Sequence, residues 1–428
     1  MTSPERLTVR GPEDILGFIP HSLGYWPANS IVAMTLQGRR LGATLRLDLP
    51  GPGVLADPAA FAATVCGYLA ADGQANGTLL ALFTNNGWLS GPGCYEGLIF
   101  GLEAALAQAG MPVKDAWYVG DRYWRDVRCS DPSCCPLPGR PLEQIRDSLL
   151  STEMVFRGSS VGPPPEERPA AGPVPGPYVA GILAAEAVWW AQLDPRRKSR
   201  SQFEAVLRQW ESMLRRPEDA RPLSVQRDAF LRTTLLVPAW RDAVLVMAAA
   251  GRPAALAGAE EFGIFSEGEE PGPLEPAAEE AGGGTTTSGP QAPGPPSFAL
   301  QAGYMHDAHG RGIPVPGDLA GTASYGDVLM GHAPPVPQWR TMDSLDLVLE
   351  QLAIPGGASA AAALTLRGWI AWCRGRGSYA AAHLGGALEI EPGYRLAELL
   401  LELVRRGTLC GWAARKDAAW QKFGPDAA

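Results

Sequence analysis

Lysine is scarce in this chain: of 36 basic residues among 428, only Lys114, Lys198, Lys416 and Lys422 are lysines, and histidine occurs five times. The arginine bias reflects a GC-rich genome more readily than a mechanism. Long apolar runs are missing too. The strongest, Ala243 to Ala250, falls far short of the ~20 residues a membrane span needs. Met1 to Asp14 carries charges and a proline but no apolar stretch, so no signal peptide is expected. A net charge of −9 argues against a nucleic-acid surface spread over the molecule. Seven cysteines, an odd number in a long chain, do not make a secreted disulfide framework. These absences lead to the expectation of a cytoplasmic protein, away from membrane and nucleic acid.

What is abundant is loop-forming chemistry: 51 glycines and 40 prolines, beside 46 % hydrophobic residues, enough for a sizeable core. The excess concentrates in two places. Gly158 to Pro177 carries seven prolines and reads as a stiff linker. Ser266 to Ser297 holds seven glycines, seven prolines, six glutamates, no basic residue and one large apolar side chain, Leu274. Such a segment buries too little to offset the entropy of ordering, so disorder is expected.

The first ~150 residues carry α/β signals. Ser30 to Leu36 is a short β-rich run, and Leu41, Ala43, Leu45, Leu47 and Leu49 alternate with Gly42, Thr44, Arg46 and Asp48, the period of a half-buried strand. With Gly38 between them the two form a hairpin. A helix from about Pro58 to Ala71, a strand Thr78–Thr84, a helix from about Tyr95 to Ala109, and strands Val113–Val119 and Arg122–Arg128 around Gly120-Asp121 complete a mixed sheet with flanking helices.

The second half reads as helical. Phe203, Val206, Leu207, Trp210, Met213 and Leu214 keep helical spacing, with Ser201 and Glu204 at capping-box separation. A helix over Tyr178–Leu193 precedes it, and Ser224–Ala250 follows with a break at Pro238. Tyr304–Trp339 reads as loop, and helices resume over Ser344–Ala353, Ala358–Arg374, Ser378–Ile390 and Tyr394–Arg406. Gly368, Ala380, Leu384, Ala387 and Pro392 match a tetratricopeptide unit, in which small residues let two helices approach closely. The expected organisation is an α/β domain over 1–157, a linker over 158–177, a helical segment over 178–265, a disordered insertion over 266–297, and a helical segment over 298–428 packing with 178–265.

Three stretches resemble the actinobacterial domain of unknown function 4192. They are Pro20-His21-Ser22-Leu23-Gly24-Tyr25-Trp26-Pro27-Ala28-Asn29-Ser30-Ile31-Val32 with Arg46-Leu47-Asp48-Leu49-Pro50; Arg122-Tyr123-Trp124 leading to Cys129-Ser130-Asp131-Pro132-Ser133-Cys134-Cys135-Pro136 and Gly139-Arg140-Pro141-Leu142; and Trp369 to Leu401. The resemblance implies a bacterial origin and a domain filling nearly the whole chain. That family has no assigned activity, so the resemblance brings no catalytic residue and no cofactor.

Candidate ligand groups follow from residue type. Tyr25 and Trp26, beside Gly24, could stack on a flat ligand, with Ser30 at the strand entry. Arg46 and Asp48 leave one strand face together and could orient a small anionic or polar molecule. Asn85 and Asn86 follow the third strand, where α/β sheets bind ligands. Arg122 and Trp124 lie on the fifth strand. Cys129, Cys134 and Cys135 fall within seven residues. They are expected as reduced, metal-free structural thiols, with a metal site or a redox centre as alternatives. Adjacent Cys134 and Cys135 are not expected to face one partner together. His306 and His309 form a weak metal-ligand pair, and Arg196 to Arg200 a solvated basic corner. No GxGxxG or P-loop pattern follows a strand. The leading expectation is a non-catalytic binding or regulatory protein with a small-molecule or protein partner. The alternatives are an enzyme acting on a small polar or anionic ligand in an N-terminal cleft, and a cysteine-based metal or redox site.

Overall fold

The computed structural model describes residues 8–86, 94–168, 176–215, 224–266, 272–276 and 324–422. They divide into two compact units: residues up to 168 with 414–416 and 421–422, and residues 176–413 with 417–420. Gly87, Trp88, His306 and His309 lie outside the described residues.

The first unit runs α1 (Pro12–Leu23), β1 (Ser30–Gln37), β2 (Arg40–Asp48), α2 (Pro52–Ala56), α3 (Ala59–Leu69), β3 (Gly77–Phe83), α4 (Glu96–Gln108), β4 (Val113–Val119), β5 (Tyr123–Asp126), β6 (Arg140–Pro141), α5 (Glu143–Arg146) and α6 (Leu149–Phe156). The six strands form one mixed sheet in the order β2-β1-β3-β4-β5-β6. Only β3 and β4 pair in parallel; every other neighbour is antiparallel. Both faces are covered. Ile31, Ala33, Leu80, Leu82 and Ala116 meet Ala62, Val65, Leu98 and Leu102 of α3 and α4. Val32, Met34, Leu79, Ala81, Phe83 and Trp117 meet Leu16 and Ile19 of α1 and Ile145 of α5. Burial on both faces explains why β3, Gly-Thr-Leu-Leu-Ala-Leu-Phe, shows no polar alternation.

The leucines of β2 do not share one face, as strict alternation implied. Met34 pairs with Thr44 and Leu36 with Leu41, so Gly42 and Ala43 together oppose Thr35. This bulge reverses the side-chain phase: Leu45, Leu47 and Leu49 pack on the α3/α4 core, whereas Leu41 packs on the other. Thr35 Oγ1 accepts from the Ala43 amide at 2.7 Å and donates to Asp72 Oδ2 at 2.6 Å. A Cβ at position 42 would lie 2.3 Å from that hydroxyl, which explains the glycine.

Sequence periodicity also missed α1. Ile15, Leu16, Phe18 and Ile19 carry the pattern, Pro12 starts the helix and Gly24 ends it at φ +86°, but Pro20 inside disguised it. The linker expected from residue 158 begins as part of this unit. Ser159 bonds to the buried His21 ring at 3.0 Å, Gly162 bridges to Tyr25, and Arg168 Nη2 donates to the Gly24 carbonyl at 2.9 Å.

The second unit is helical: α7 (Gly176–Leu193), α8 (Arg200–Leu214), α9 (Val225–Thr234), α10 (Pro238–Ala250), α11 (Arg252–Glu261), α12 (Tyr325–Leu329), α13 (Trp339–Ala353), α14 (Gly357–Cys373), α15 (Gly377–Ile390) and α16 (Arg395–Arg405). The chain turns by 102° between α9 and α10, at the break expected before Pro238. Helices before and after the acidic segment interpack, α10 against α12 and α13 and α9 against α14. Ser199, not Ser201, caps α8 by accepting from the Gln202 amide at 3.2 Å. Among the described residues no single helix is long and apolar enough to cross a membrane.

Two polar clamps hold this unit. Arg232, fully buried on α9, pairs with Glu186 of α7 at 2.9 Å and donates to the carbonyls of Leu352 and Gly356. Asp346 of α13 accepts from Arg367 of α14 at 2.8 Å and from Arg374, which caps the C-terminus of α14, at 2.7 Å. The α14–α15 crossing is close at Gly368, where a Cβ would lie 2.6 Å from Leu384 Cγ. Within the segment expected to be unanchored, Leu274 is held to α8: Gln202 bonds both its carbonyl and its amide at 2.8 Å, and Glu275 pairs with Arg208.

Candidate functional site

The sequence candidates separate into two groups on the first unit. The first lies at the carboxyl ends of β3 and β4. Tyr25 is buried, and Trp26 stacks edge-on against Phe83 with Arg146 5.4 Å over its ring. Ser30, fully buried, donates to the Ala28 carbonyl at 2.6 Å and accepts from Arg46 Nε at 2.9 Å. Arg46 also pairs with the exposed Asp48 at 2.7 Å. Asn85 joins Asp121 of the β4–β5 turn, through its side-chain amide and by accepting from the Asp121 backbone at 2.9 Å. The Asn86 amide donates to Thr84 Oγ1 at 3.1 Å, and the Arg122 carbonyl accepts from the Leu142 amide at 3.0 Å. These groups bond one another and pin the strand ends. The fork of Arg46 grips protein oxygens.

The second group surrounds a cleft of about 600 Å³. Trp117, Trp124 and Asp126 line it from β4 and β5, Ile15 from α1, Arg140 from β6, and Cys129, Cys134 and Cys135 from the loop between β5 and β6. Arg10 and Arg128 stand at it too. The loop is built by two aspartates. Asp126 Oδ1 accepts from the amides of Arg128 at 2.7 Å and Cys129 at 2.8 Å. Asp131 Oδ1 accepts from the Ser133 amide at 2.8 Å, and its carbonyl from the amides of Cys134 at 3.1 Å and Cys135 at 2.7 Å. These are Asx-type turns, in which a short carboxylate replaces a backbone partner.

The turn brings all three Sγ atoms within 4.8 Å of one another. Cys134 and Cys135 therefore do face a common point, contrary to the expectation for adjacent residues: the turn at Asp131 curls the chain so that both sulfurs return toward Cys129. The Asp131 backbone amide and then Cys135 hold the Cys129 thiol below its ordinary pKa, whereas burial pushes Cys135 up. Arg140 Nη2 donates to Cys134 Sγ at 3.3 Å and Nε to the Cys134 carbonyl at 2.9 Å. The same guanidinium stands 5.2 Å over the Trp124 ring. Trp124 is 2 % exposed, and its buried indole Nε1–H has no acceptor among the described residues.

Arg10, Asp126 and Arg140 were not singled out as site residues. Asp126-Val127-Arg128-Cys129 carries the spacing of an Asx turn, which pointed to Asp126. Arg140 reaches the thiols only through the pairing of Arg140 with Trp124 across β5 and β6. Among the described residues no histidine lines the cleft. His21 is bonded to Ser159 and Ser151, and burial, then Lys422, lowers its pKa.

The family profile described as Domain of unknown function (DUF4192) matches residues 12–259 and 339–409, and the chain belongs to that family. No curated protein and no solved structure matches it.

Proposed function

We propose that this chain is a binding or regulatory protein whose ligand site is the cleft of the first unit. The supporting observation is the set of groups lining the cleft: Arg10 and Arg140, three thiols, and the aromatic wall of Trp117 and Trp124. Guanidinium groups beside an aromatic wall select a small anionic or polar molecule. Among the described residues no imidazole lines the cleft beside the thiols, so recognition fits the site better than nucleophilic turnover.

The reading is tested by thermal-shift measurements with a panel of small carboxylates and phosphates. Stabilisation of the wild type that is lost in Arg140→Met supports it. Equal responses in the two proteins, or none, overturn it.

A further inference from the structure

The loop from Cys129 to Cys135 permits a narrower assignment, which rests on the reading of the cleft as the ligand site. A tetrahedral zinc ion at ~2.3 Å from sulfur holds its thiolates about 3.8 Å apart. The three Sγ atoms already lie within 4.8 Å of one another, so each needs to move by less than ~1 Å to close on such an ion. Among the described residues the cluster is sulfur alone, a donor set that selects thiophilic ions over magnesium or calcium. The spacing from Cys129 to Cys134, with four residues between, lies within the range of zinc-binding loops.

We propose that Cys129, Cys134 and Cys135 bind one divalent ion of the zinc class as three thiolates, with its fourth position open to the cleft. Each thiol releases its proton on binding, so the ion and its ligands carry one net negative charge. Arg140 offsets that charge from 3.3 Å and orients Cys134, as partners beyond the metal's own ligands do in metal sites. The two Asx turns hold the ligand backbone before metal arrives. An ion with three protein ligands and one open position can take an exogenous donor, and the cleft has the room for one.

The test uses the full chain, reduced, stripped with a chelator and kept anaerobic. Titration with cobalt(II), then displacement by zinc(II), is followed by absorption. One equivalent with a sulfur-to-cobalt charge-transfer band, bleached by zinc, is expected. Cys134→Ser and Cys135→Ser should each weaken zinc binding at least ~10-fold, and Arg140→Met about 10-fold, with circular dichroism unchanged. Absence of the band in the wild type, or full-strength binding in both serine variants, overturns the proposal. So does stoichiometric binding of copper(I) without zinc or cobalt. The anion thermal shift, run on the metal-free protein, separates the two readings. A retained anion response without metal binding rejects the metal site alone, and loss of both rejects the cleft as well.

Discussion

Arg140 and Cys134 are joined twice, through the Cys134 carbonyl at 2.9 Å and its sulfur at 3.3 Å, so a two-residue strand supports the thiol loop. The guanidinium also covers Trp124. Replacing it with methionine keeps the stem but removes the donors and the cation–π contact. Arg140→Met should cost ~1 kcal/mol in urea unfolding. A loss too small to detect would mean that the loop is held by its own turns.

Arg232 is the more expensive residue to change. Arg232→Met leaves Glu186 without its counter-ion and two carbonyls without donors, at full burial of the arginine. A loss of ~3–5 kcal/mol is expected, read from the denaturant midpoint. Glu186→Gln, which keeps a hydrogen-bonding side chain, should cost less than Arg232→Met.

The stability of the helical unit should fall in mild acid. Burial, then the nearby Arg367, holds His383 down to about 4, against an ordinary 6.5; Asp346, Arg376 and Arg374 also face it. Between these values the unfolded chain binds a proton that the native one does not, so stability rises with pH. This contribution is complete above pH 6.5 and is lost as pH falls toward 4, amounting to ~3 kcal/mol. Asp346 acts in the same direction at lower pH, because Arg367 and Arg374 outweigh its burial and keep its carboxyl below the ordinary carboxylate range. His383→Gln should flatten the pH dependence between 4 and 6.5, as measured by thermal melts across that range.

The α14–α15 crossing has no room to spare. Gly368→Ala places a methyl 2.6 Å from Leu384 Cγ, and Ala380→Leu enlarges a fully buried contact. Each should cost ~1–3 kcal/mol. Calorimetry showing both neutral would remove the close-approach account of these small residues.

Gln202 is fully buried and grips Leu274 at both backbone groups. Gln202→Ala should free residues 272–276 and make them the first site of limited proteolysis, with ~1–2 kcal/mol lost. An unchanged cleavage pattern would show that the pairing of Glu275 with Arg208 suffices.

Local chemistry was legible wherever neighbours in sequence decide the outcome. The β1–β2 hairpin, the leucine-rich β3, the amphipathic α8 and the break at Pro238 follow from side-chain period, turn glycines and proline, which act over a few residues. The fold class and the family resemblance were readable on the same basis. Other features needed partners distant in the chain. The bulge opposite Thr35 depends on Asp72, 37 residues further on. The cleft depends on more distant pairings still. Sequence placed Cys129, Cys134 and Cys135 close together along the chain, but the direction of each sulfur is set by the turn at Asp131 and by Arg140, brought alongside through strand pairing. Composition and period determine which segments form and which faces are apolar, because those are properties of consecutive residues. Convergence of three sulfurs, an indole and a guanidinium on one cleft is a property of sheet register, which only the tertiary structure decides.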